Sequence, residues 1–485
     1  MTLNQEIQAK FPNLEISEIL LSDVLKDNQN LRFDAEYFKK VYLHFFKDVP
    51  NLQPLGNFVA EGYRVVYETT EIINSEEGNE KDYPIFLQAT DLQTPFIKTD
   101  RLYYVHEKDW LRYPKGRITK GEILIEVKGK VEKVAIVPDD FPEKVLVTGS
   151  LYKMTVNNKI NKHYLLTYLI CKYGNVFKER YKTNLLISFL SKDDLYKIPV
   201  PVFSVNFQNQ IENLYNKIFL FQKQSQNLYT SAENLLLSAL GLNNFESKKI
   251  ETNYNIKSFK DSFLTSGRLD AEYWQPKYEI VENLVKSQGY SLVEDICSEV
   301  NYGTVPTSLY SEDGLGIPYI KGMNLKQCSI VGELDKITNT SELNKRFYTK
   351  EGDIIISQMG TVGDVGVVSK EQENWLFASF TIRIRLKDFS KFKPHFVGLY
   401  IQKVAKEYYL LRNIAQASVR QNTDLPTIRN MYIPHIDLDL QNKISLQVQE
   451  SFVLRAESER LLALAKKAVE LAIEEGETEA EKLLL

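Results

Sequence analysis

The heptapeptide Arg32-Phe33-Asp34-Ala35-Glu36-Tyr37-Phe38 returns as Arg268-Leu269-Asp270-Ala271-Glu272-Tyr273-Trp274, in the same order and 236 positions further along a chain of 485 residues. Two more pairs of motifs repeat at nearly the same offset. These are Gly121-Glu122-Ile123-Leu124-Ile125 with Gly352-Asp353-Ile354-Ile355-Ile356, and Ile198-Pro199-Val200-Pro201 with Ile433-Pro434-His435-Ile436. Because three collinear motifs drift by only a few residues, as loop insertions between similar folds produce, the sequence predicts an internal duplication.

The composition is that of an ordinary soluble protein, with 43% hydrophobic and 26% charged residues. No apolar stretch reaches about 18 residues, the first residues do not resemble a signal peptide, and the three cysteines lack metal-ligand spacing. These features predict a cytoplasmic chain with no membrane partner. The net charge of -4 combines a basic segment at 151–200 with an acidic one at 470–485. Charge alone leaves a solvated surface and a nucleic-acid partner equally open.

Each half of the sequence has a β-rich part followed by helical spacing. Short β-branched apolar runs separated by Gly and Pro predict strands over 52–156 and again over 293–386. Helical spacing follows at 163–181 and at 394–411. Strands and helices that are partly segregated in this way predict an α+β globule in each half.

A longer helix of a different character is predicted after each globule. The apolar residues of the first alternate three and four positions apart from about Phe207 to Leu240, as in a heptad seam, with Ser225 as the exception. The seam positions are Ile211, Leu214, Ile218, Phe221, Leu228 and Leu235 in the first helix, and Ile444, Leu454 and Leu461 in the second. In the second helix Val448 and Phe452 can shift the contact face. The long periodicity favours packing of helix against helix over packing of each helix on its own globule.

The order globule, helix, globule, helix closes most simply about a pseudo-two-fold axis. We therefore expect two structurally similar β-rich globules separated by two long antiparallel coiled-coil helices. The predicted boundaries are 1–205 for the first globule, 206–242 for the central helix, 243–257 for a linker, 258–436 for the second globule and 437–485 for the C-terminal helix. A helix of about 34 residues at about 1.5 Å per residue spans roughly 50 Å, so such a pair of helices would set the distance between two DNA half-sites.

Taken together, these motifs resemble the specificity (S) subunit of type I restriction-modification systems. The resemblance rests on the doubled R-[FL]-D-A-E-Y-[FW], G-[ED]-I-[LI]-I and I-P motifs and on the Q-N-x-I start of each long helix, and it covers nearly the whole chain. It implies two target-recognition domains, each reading one half of a bipartite asymmetric sequence in double-stranded DNA. It also implies helices that dock two methyltransferase (M) subunits.

The same resemblance implies that this chain is not an enzyme. The partner M subunits would methylate adenine with S-adenosylmethionine, and restriction (R) subunits would use ATP and Mg²⁺. In agreement, the sequence has no G-x-x-x-x-G-K-[ST] loop for ATP phosphates, no Asn-Pro-Pro or Asp-Pro-Pro followed by an aromatic residue, and five scattered histidines. No catalytic residue, metal ligand or cofactor of its own is predicted for this chain.

One short motif suggests a nuclease. Glu126-Val127-Lys128 resembles the E-x-K of metal-dependent nucleases, but no upstream Pro-Asp pair accompanies it. The second half has Ser357-Gln358-Met359 at the same place. We interpret Lys128 and its neighbouring lysines as phosphate contacts beside a turn.

Base readout needs donors and acceptors that reach the groove edges, chiefly Arg, Lys, Asn and Gln. Three loop clusters in each half concentrate such residues, and for each residue a solvated loop remains the alternative. In the first half the candidates are Arg64 and Tyr67, then Lys128, Lys130 and Lys133, then Arg180, Tyr181, Lys182 and Asn184. In the second half they are Tyr302 and Thr304, then Gln358 and Thr361, then Ser418, Arg420, Gln421 and Asn422, the last group resembling a polar loop of the family's recognition domains.

The repeated heptapeptide itself is predicted to be structural. Its alternating carboxylates could suggest acid-base chemistry, but beside an arginine they are better interpreted as a local clasp. The residues concerned are Arg32, Asp34, Glu36 and Tyr37 in the first half and Arg268, Asp270, Glu272 and Tyr273 in the second.

Two other functions remain open at the level of sequence. One is a self-contained restriction or modification enzyme with unrecognised chemistry, and the other is a coiled-coil scaffold that binds only proteins.

Overall fold

The computed structural model describes residues 3–484 except 17, 27, 29–31, 50, 66–69, 74–82, 99–101, 184–185, 244, 246–253, 306–309, 312–313, 339–343 and 415–421. The described chain forms two compact units. Unit 1 comprises residues 1–220 and 457–485, and unit 2 comprises residues 221–456. Each long helix is divided between the units instead of forming a domain by itself, so the domain boundaries drawn from the sequence stay a prediction.

The first half of the chain contains short helices, short strands and one long helix. The helices are α1 (Leu3–Lys10), α2 (Leu21–Lys26), α3 (Lys40–Asp48), α4 (Glu107–Arg112), α5 (Lys162–Ile170), α6 (Lys172–Tyr181), α7 (Lys192–Tyr196) and α8 (Val205–Ala239). The strands are β1 (Leu52–Pro54), β2 (Val59–Arg64), β3 (Ile72–Ile73), β4 (Ile85–Leu87), β5 (Leu92–Gln93), β6 (Phe96–Ile97), β7 (Tyr103–Val105), β8 (Ile123–Glu126), β9 (Val134–Ile136), β10 (Val145–Val147), β11 (Leu151–Val156) and β12 (Pro199–Pro201).

The second half has a similar inventory. Its helices are α9 (Phe263–Ser266), α10 (Pro276–Ser287), α11 (Val293–Ile296), α12 (Pro394–Tyr400), a π-helical stretch (Ile401–Leu410), α13 (Leu411–Asn413), α14 (Leu425–Arg429), α15 (Leu438–Glu475) and α16 (Glu477–Leu484). Its strands are β13 (Tyr290–Leu292), β14 (Cys297–Tyr302), β15 (Ile317–Ile320), β16 (Leu325–Lys326), β17 (Ser329–Ile330), β18 (Asp335–Ile337), β19 (Ile354–Ser357), β20 (Val365–Val367), β21 (Leu376–Phe377), β22 (Thr381–Leu386) and β23 (Tyr432–Pro434).

A four-stranded antiparallel sheet forms the centre of each unit. The strand order is β2-β11-β8-β9 in unit 1 and β14-β22-β19-β20 in unit 2. A second pairing joins β1 to β12 in unit 1 and β13 to β23 in unit 2. The predicted α+β class is confirmed, and corresponding strands occupy the same order in both units.

A buried carboxylate explains why the Gly-acid-Ile motif occurs twice. In unit 1, Glu122 is 4% exposed and accepts hydrogen bonds from Lys153 Nζ at 3.0 Å and from the Thr119 amide at 2.8 Å. In unit 2, Asp353 is fully buried and accepts two bonds from the Arg385 guanidinium, at 2.6 and 2.7 Å. Because a buried charge is tolerated only when it is paired, each acid requires its cation on the neighbouring strand.

The repeated heptapeptide forms a clasp in unit 1. Arg32 donates to both carboxylate oxygens of Asp34 at 2.8 and 2.9 Å, which lowers the pKa of Asp34. The ring of Tyr37 lies between two guanidinium groups, with Arg32 at 4.8 Å and Arg180 at 4.6 Å from its centroid. Arg180 Nε also donates to the Tyr37 carbonyl at 3.1 Å. The clasp therefore ties the heptapeptide to the end of α6.

Unit 2 contains the same clasp. Arg268 donates to both oxygens of Asp270 at 2.5 and 2.7 Å and lies 4.8 Å from the ring centroid of Tyr273. Arg412 lies 4.5 Å from that centroid and donates to the Tyr273 carbonyl at 3.0 Å. The arginine and the aspartate thus form the clasp expected from the sequence. The glutamates do not take part, since Glu36 pairs with Lys39 and Glu272 is exposed.

The long helices α8 and α15 contact each other within each unit through buried serines. In unit 1, Ser458 Oγ donates to the Ile218 carbonyl at 3.0 Å. In unit 2, Ser225 Oγ donates to the Ser451 carbonyl at 2.7 Å. In unit 2, Gln447 Nε2 also donates to Ser231 Oγ at 3.2 Å, so residue numbers rise along α8 as they fall along α15, and the helices are antiparallel there. Ser225, which interrupts the apolar seam in the sequence, is a hydrogen-bond donor between the helices.

At alternate positions of the predicted seam, the residue of α8 that is buried is the next one along the chain. Ile211, Ile218, Ile444 and Leu461 are buried, whereas Leu214, Phe221, Leu228, Leu235 and Leu454 are only half-buried. The buried residues of α8 at those alternate positions are Tyr215, Tyr229 and Leu236. The physical reason is that α8 also packs on the globular part of its own unit. In unit 2, for example, Tyr229 and Leu236 belong to the main apolar core.

The helical stretch predicted at 163–181 is two helices, α5 and α6. A Cβ on Gly174 would lie 2.1 Å from the Tyr168 carbonyl oxygen, so the two helices approach closely where the chain turns at Cys171.

The acidic segment near the end of the sequence caps helices of unit 1. Glu470 accepts from the Lys172 amide at 2.7 Å and Glu477 from the Ser204 amide at 2.9 Å, at the starts of α6 and α8, where negative charge is favourable. Among the described residues, no helix has the length and apolar character that crossing a bilayer requires.

Candidate nucleic-acid interface

Three segments meet at one end of the strands that form the central sheet of unit 1. They are the end of β2 at Arg64, the turn that follows β8, and the segment that precedes α7. Lys128 forms a backbone bridge with Phe189, the Leu190 amide donates to the Val127 carbonyl at 2.9 Å, and the Arg64 guanidinium lies 4.6 Å from the Phe189 ring centroid. We call this region, residues 64, 127–133, 183 and 186–190, the loop edge of unit 1.

The turn of this loop edge presents two exposed lysines. Lys128 and Lys130 are exposed, and neither forms an ion pair among the residues that the structure describes. Lys133 is half-buried and donates from Nζ to the Ala89 carbonyl at 3.0 Å. Beneath the turn, Lys178 is buried and donates to the Glu132 carbonyl at 2.8 Å, and burial lowers its pKa to about 8. The turn is therefore a cationic surface that suits phosphate groups.

Glu126, the acidic member of the E-x-K motif, holds this turn in place. Its side chain is buried, and one carboxylate oxygen accepts from the amides of Glu132 at 3.1 Å and Lys133 at 3.3 Å. Across the described part of the chain, no three His, Cys, Asp or Glu residues are grouped so that they could hold a metal ion. The geometry gives Glu126 a structural role.

Burial corrects part of the prediction for unit 1. Arg180 is 8% exposed and Tyr181 is 6% exposed, because Arg180 is held by the clasp and Tyr181 packs on Phe177. Lys182 lies at the surface end of α6 in an ion pair with Glu179 at 2.6 Å. Arg64 donates from Nε to the Gly149 carbonyl at 2.6 Å. Two further candidates, Tyr67 and Asn184, lie outside the described residues.

Unit 2 brings the corresponding segments together in the same way. Met359, in the turn after β19, forms a backbone bridge with Asn422, and the Thr423 amide donates to the Gln358 carbonyl at 3.1 Å. The hydroxyl of Tyr302, at the end of β14, accepts from the Leu425 amide at 3.3 Å. We call residues 302, 358–364 and 422–425 the loop edge of unit 2.

The loop edge of unit 2 carries amides and hydroxyls in place of lysines. Gln358 and Asn422 are half-buried, and Thr361 is exposed with its hydroxyl 3.3 Å from Ser357 Oγ. Thr304 is buried and its hydroxyl donates to the Val305 carbonyl at 3.3 Å, so it is not available to a base, which corrects that prediction. Ser418, Arg420 and Gln421 lie outside the described residues.

Sequence reasoning missed the apolar members of the loop edge in unit 1. Phe189 supports Arg64, and two aliphatic residues just before it, Leu186 and Ile187, are exposed. They were passed over because only polar side chains were considered as base-reading groups. Alignment of the two halves on their Ile-Pro motifs would have pointed to this segment, since it aligns with the polar loop of the second half.

Comparison with known proteins identifies the second half directly. Residues 290–453 match the family model described as the type I restriction modification DNA specificity domain. No curated protein matches the chain significantly.

Solved structures similar to the chain include three from type I systems. They are the crystal structure of the S subunit from M. genitalium (12% identity, 90% of this chain and 94% of that chain, TM-score 0.37), a structure on complex assembly and conformational transition of the type I R-M system (14%, 88% and 98%, 0.29), and the HsdS subunit from Thermoanaerobacter tengcongensis (13%, 88% and 97%, 0.27). At these TM-scores the assignment depends on the family match.

The family match makes residues 290–453 a type I DNA specificity domain. The match covers residues 290–453 of the 485, so it assigns a domain in the second half and not the chain as a whole.

Proposed function

We propose that each unit reads one half of a bipartite, asymmetric target in double-stranded DNA through its loop edge. The observation that carries this proposal is the recurrence of one arrangement of three segments with different side chains, Lys128 and Lys130 in unit 1 and Gln358 and Thr361 in unit 2. A common scaffold with divergent contact residues allows two different half-sites to be read by one chain. The base-reading role of these residues extends the family assignment to individual side chains.

We propose further that the two long helices dock two methyltransferase subunits. These partners would supply S-adenosylmethionine-dependent methylation of adenine, and restriction subunits would supply the reactions that need ATP and Mg²⁺. The support for this step is the match of residues 290–453 to the type I DNA specificity domain, from which we propose that the whole chain is a specificity subunit with no chemistry of its own. An adenine to be methylated must leave the helix stack, so the partner acts on a base that the loop edges have positioned beside it.

The test is an exchange of one recognition segment. Residues 260–430 would be replaced by the corresponding segment of another type I specificity subunit, and methylated adenines would be mapped genome-wide in cells that also express the methyltransferase partner. We expect one half of the split motif to change and the other half to stay the same. A change in both halves, or in neither, would contradict the assignment of one half-site to each unit.

Two simple measurements address the remaining functions. A self-contained enzyme would cleave or methylate DNA when the purified chain is given Mg²⁺ and S-adenosylmethionine, and we expect neither reaction. A scaffold that binds only proteins would leave duplex DNA unbound in the assembled complex. We expect instead binding that weakens as salt rises, because counterions are released from neutralised phosphates.

A further inference from the structure

An exposed aliphatic pair lies beside the lysines of unit 1. Leu186 is 105% exposed and Ile187 is 57% exposed, in the segment that precedes α7. Burial of a leucine or isoleucine side chain is favourable, and both residues forgo that stabilisation in the free protein. Exposed apolar residues are ordinary by themselves, so the meaning of this pair comes from its position beside the lysine turn.

The backbone around the pair anchors it to the sheet. The Thr183 amide donates to the Phe189 carbonyl at 2.8 Å, and the Phe189 amide donates back to the Thr183 hydroxyl at 3.0 Å. The Gly129 amide donates to the Ser188 carbonyl at 3.0 Å. The loop is thus closed at its base and joined to the lysine turn. Leu186 and Ile187 are therefore presented from a fixed base, so that part of the entropic cost of contact is already met.

The surroundings of the pair indicate the class of partner. Lys128 and Lys130, on the turn that holds the loop, are exposed and form no ion pair with any described carboxylate. Arg64 adds a third cation against the Phe189 ring. An apolar loop bordered by cations is complementary to a DNA groove, in which rows of phosphates flank base edges. In the major groove the apolar group on those edges is the C5-methyl of thymine.

We infer that Leu186 and Ile187 contact thymine methyl groups in the major groove of the half-site read by unit 1, while Lys128 and Lys130 hold the adjacent phosphates. The inference rests on the proposed function and adds to it an apolar mode of base reading. It distinguishes thymine from cytosine, which lacks the methyl group, without a hydrogen bond. The lysines give affinity for any duplex, and the aliphatic pair gives preference among sequences.

The experiment uses the full chain assembled with its methyltransferase partner. Affinities are measured for a duplex that carries the motif mapped in cells and for one with the unit 1 half-site scrambled. We expect Leu186→Ser with Ile187→Ser to lower affinity for the motif about tenfold or more, by loss of apolar contact, and to leave affinity for the scrambled duplex unchanged. Lys128→Ala with Lys130→Ala should lower both affinities. Leu111→Ser, on α4 and 59% exposed, is the matched control and should change neither.

Replacement of thymine by deoxyuridine identifies the group that is contacted. With every thymine of the unit 1 half-site replaced, the wild-type complex should lose affinity by about the same factor as the double variant, and the double variant should lose nothing further. The inference is overturned if the double variant binds like the wild type, if the wild type is indifferent to uracil, or if the variant loses its methyltransferase partner, which would make the pair a protein contact. A wild-type complex with no preference for its motif would instead overturn the proposed function, and the inference with it.

Discussion

The two units share their internal contacts and differ at their loop edges. In both units an arginine and an aspartate of the repeated heptapeptide clasp a tyrosine against a second arginine, Arg180 in one and Arg412 in the other. Both also bury the acid of the Gly-acid-Ile motif. The turns after β8 and β19, by contrast, carry lysines in unit 1 and amide or hydroxyl groups in unit 2. The contacts that the two halves share maintain the fold, and the residues that differ lie at the loop edges that we propose read DNA.

The largest effect should come from the buried acids. We expect Asp353→Ala to lower the free energy of unfolding of unit 2 by about 3–5 kcal/mol, because Arg385 and the fully buried Arg383 lose a buried carboxylate and are left to share Glu299. Glu122→Ala should cost unit 1 less, because a single lysine is left and it keeps its bond to the Arg117 carbonyl. Urea unfolding followed by tryptophan fluorescence measures both. Glu373→Ala, at an exposed ion pair with Lys370, is the control, and equal losses in the two units would contradict the comparison.

The next largest effect concerns the clasps. We expect Arg180→Ala and Arg412→Ala each to cost about 2–3 kcal/mol, through a lost cation-π contact and a lost charged hydrogen bond. Arg412→Ala also removes the ion pair with Glu282 at 2.9 Å. Alanine at Arg32 or Arg268 should likewise harm folding or assembly and leave the mapped methylation motif unchanged. A clean change of motif in any of these variants would show that the clasp reads DNA.

The loop edges should respond differently to salt. In the assembled complex, Lys128→Ala with Lys130→Ala should reduce the slope of log affinity against log salt by about 2, since each neutralised phosphate contributes about 0.9. Gln358→Ala with Thr361→Ala should leave the slope unchanged and reduce discrimination within one half-site by about 1–3 kcal/mol. Binding titrations at several salt concentrations, with matched and mismatched duplexes, separate the two outcomes. A smaller slope in the unit 2 variant would contradict the proposal that only the loop edge of unit 1 neutralises phosphates.

The smallest effect should be a pH dependence that differs between two histidines at equivalent helix starts. Burial lowers the pKa of His395 to about 4, and burial also lowers the pKa of His163, where Glu212 at 3.3 Å acts in the opposite direction. A histidine whose pKa is depressed in the folded state stabilises the fold above its unfolded pKa of about 6.5, and this stability is lost as the pH falls towards the folded value.

Unfolding midpoints at pH 7 and pH 5 test this pair. His395→Gln should remove more of the acid destabilisation than His163→Gln, because Glu212 favours the charged form of His163. The exposed His435→Gln is the control. A larger effect at His163 would mean that the carboxylate does not compensate for burial there.

The sequence predicted the α+β class, the two long helices and the acid-arginine clasp, because each leaves a periodic or repeated signal. The predictions for single residues were wrong where the same residue type can serve either at a binding surface or in packing. Arg180 was assigned to DNA because it stands in a basic loop cluster, whereas the structure places it in the clasp, as it does Arg412 in the second half. Tyr215 and Tyr229 were left out of the α8 face because the seam was chosen by the spacing of its apolar residues, and both tyrosines are buried.

Residues that contact bases leave a weaker signal in the sequence than residues that pack in the core. Exposed side chains on loops are constrained by the target and not by packing, so a single sequence cannot separate Lys128, which is exposed, from Lys133, which is held by a carbonyl. The geometry makes that separation. It also brings Leu186 and Ile187 beside the lysines, which no hydrophobic pattern in the sequence indicates.

Unit 1 is assembled from two stretches of chain, 1–220 and 457–485, between which the whole of unit 2 is inserted. A ribosome therefore completes every residue of unit 2 before it delivers Glu470 and Glu477 to the amides at Lys172 and Ser204. Domains fold as units during synthesis. Residues 1–220 are translated first but lack their C-terminal partners until synthesis ends, so unit 1 is incomplete while chaperones can bind the nascent chain.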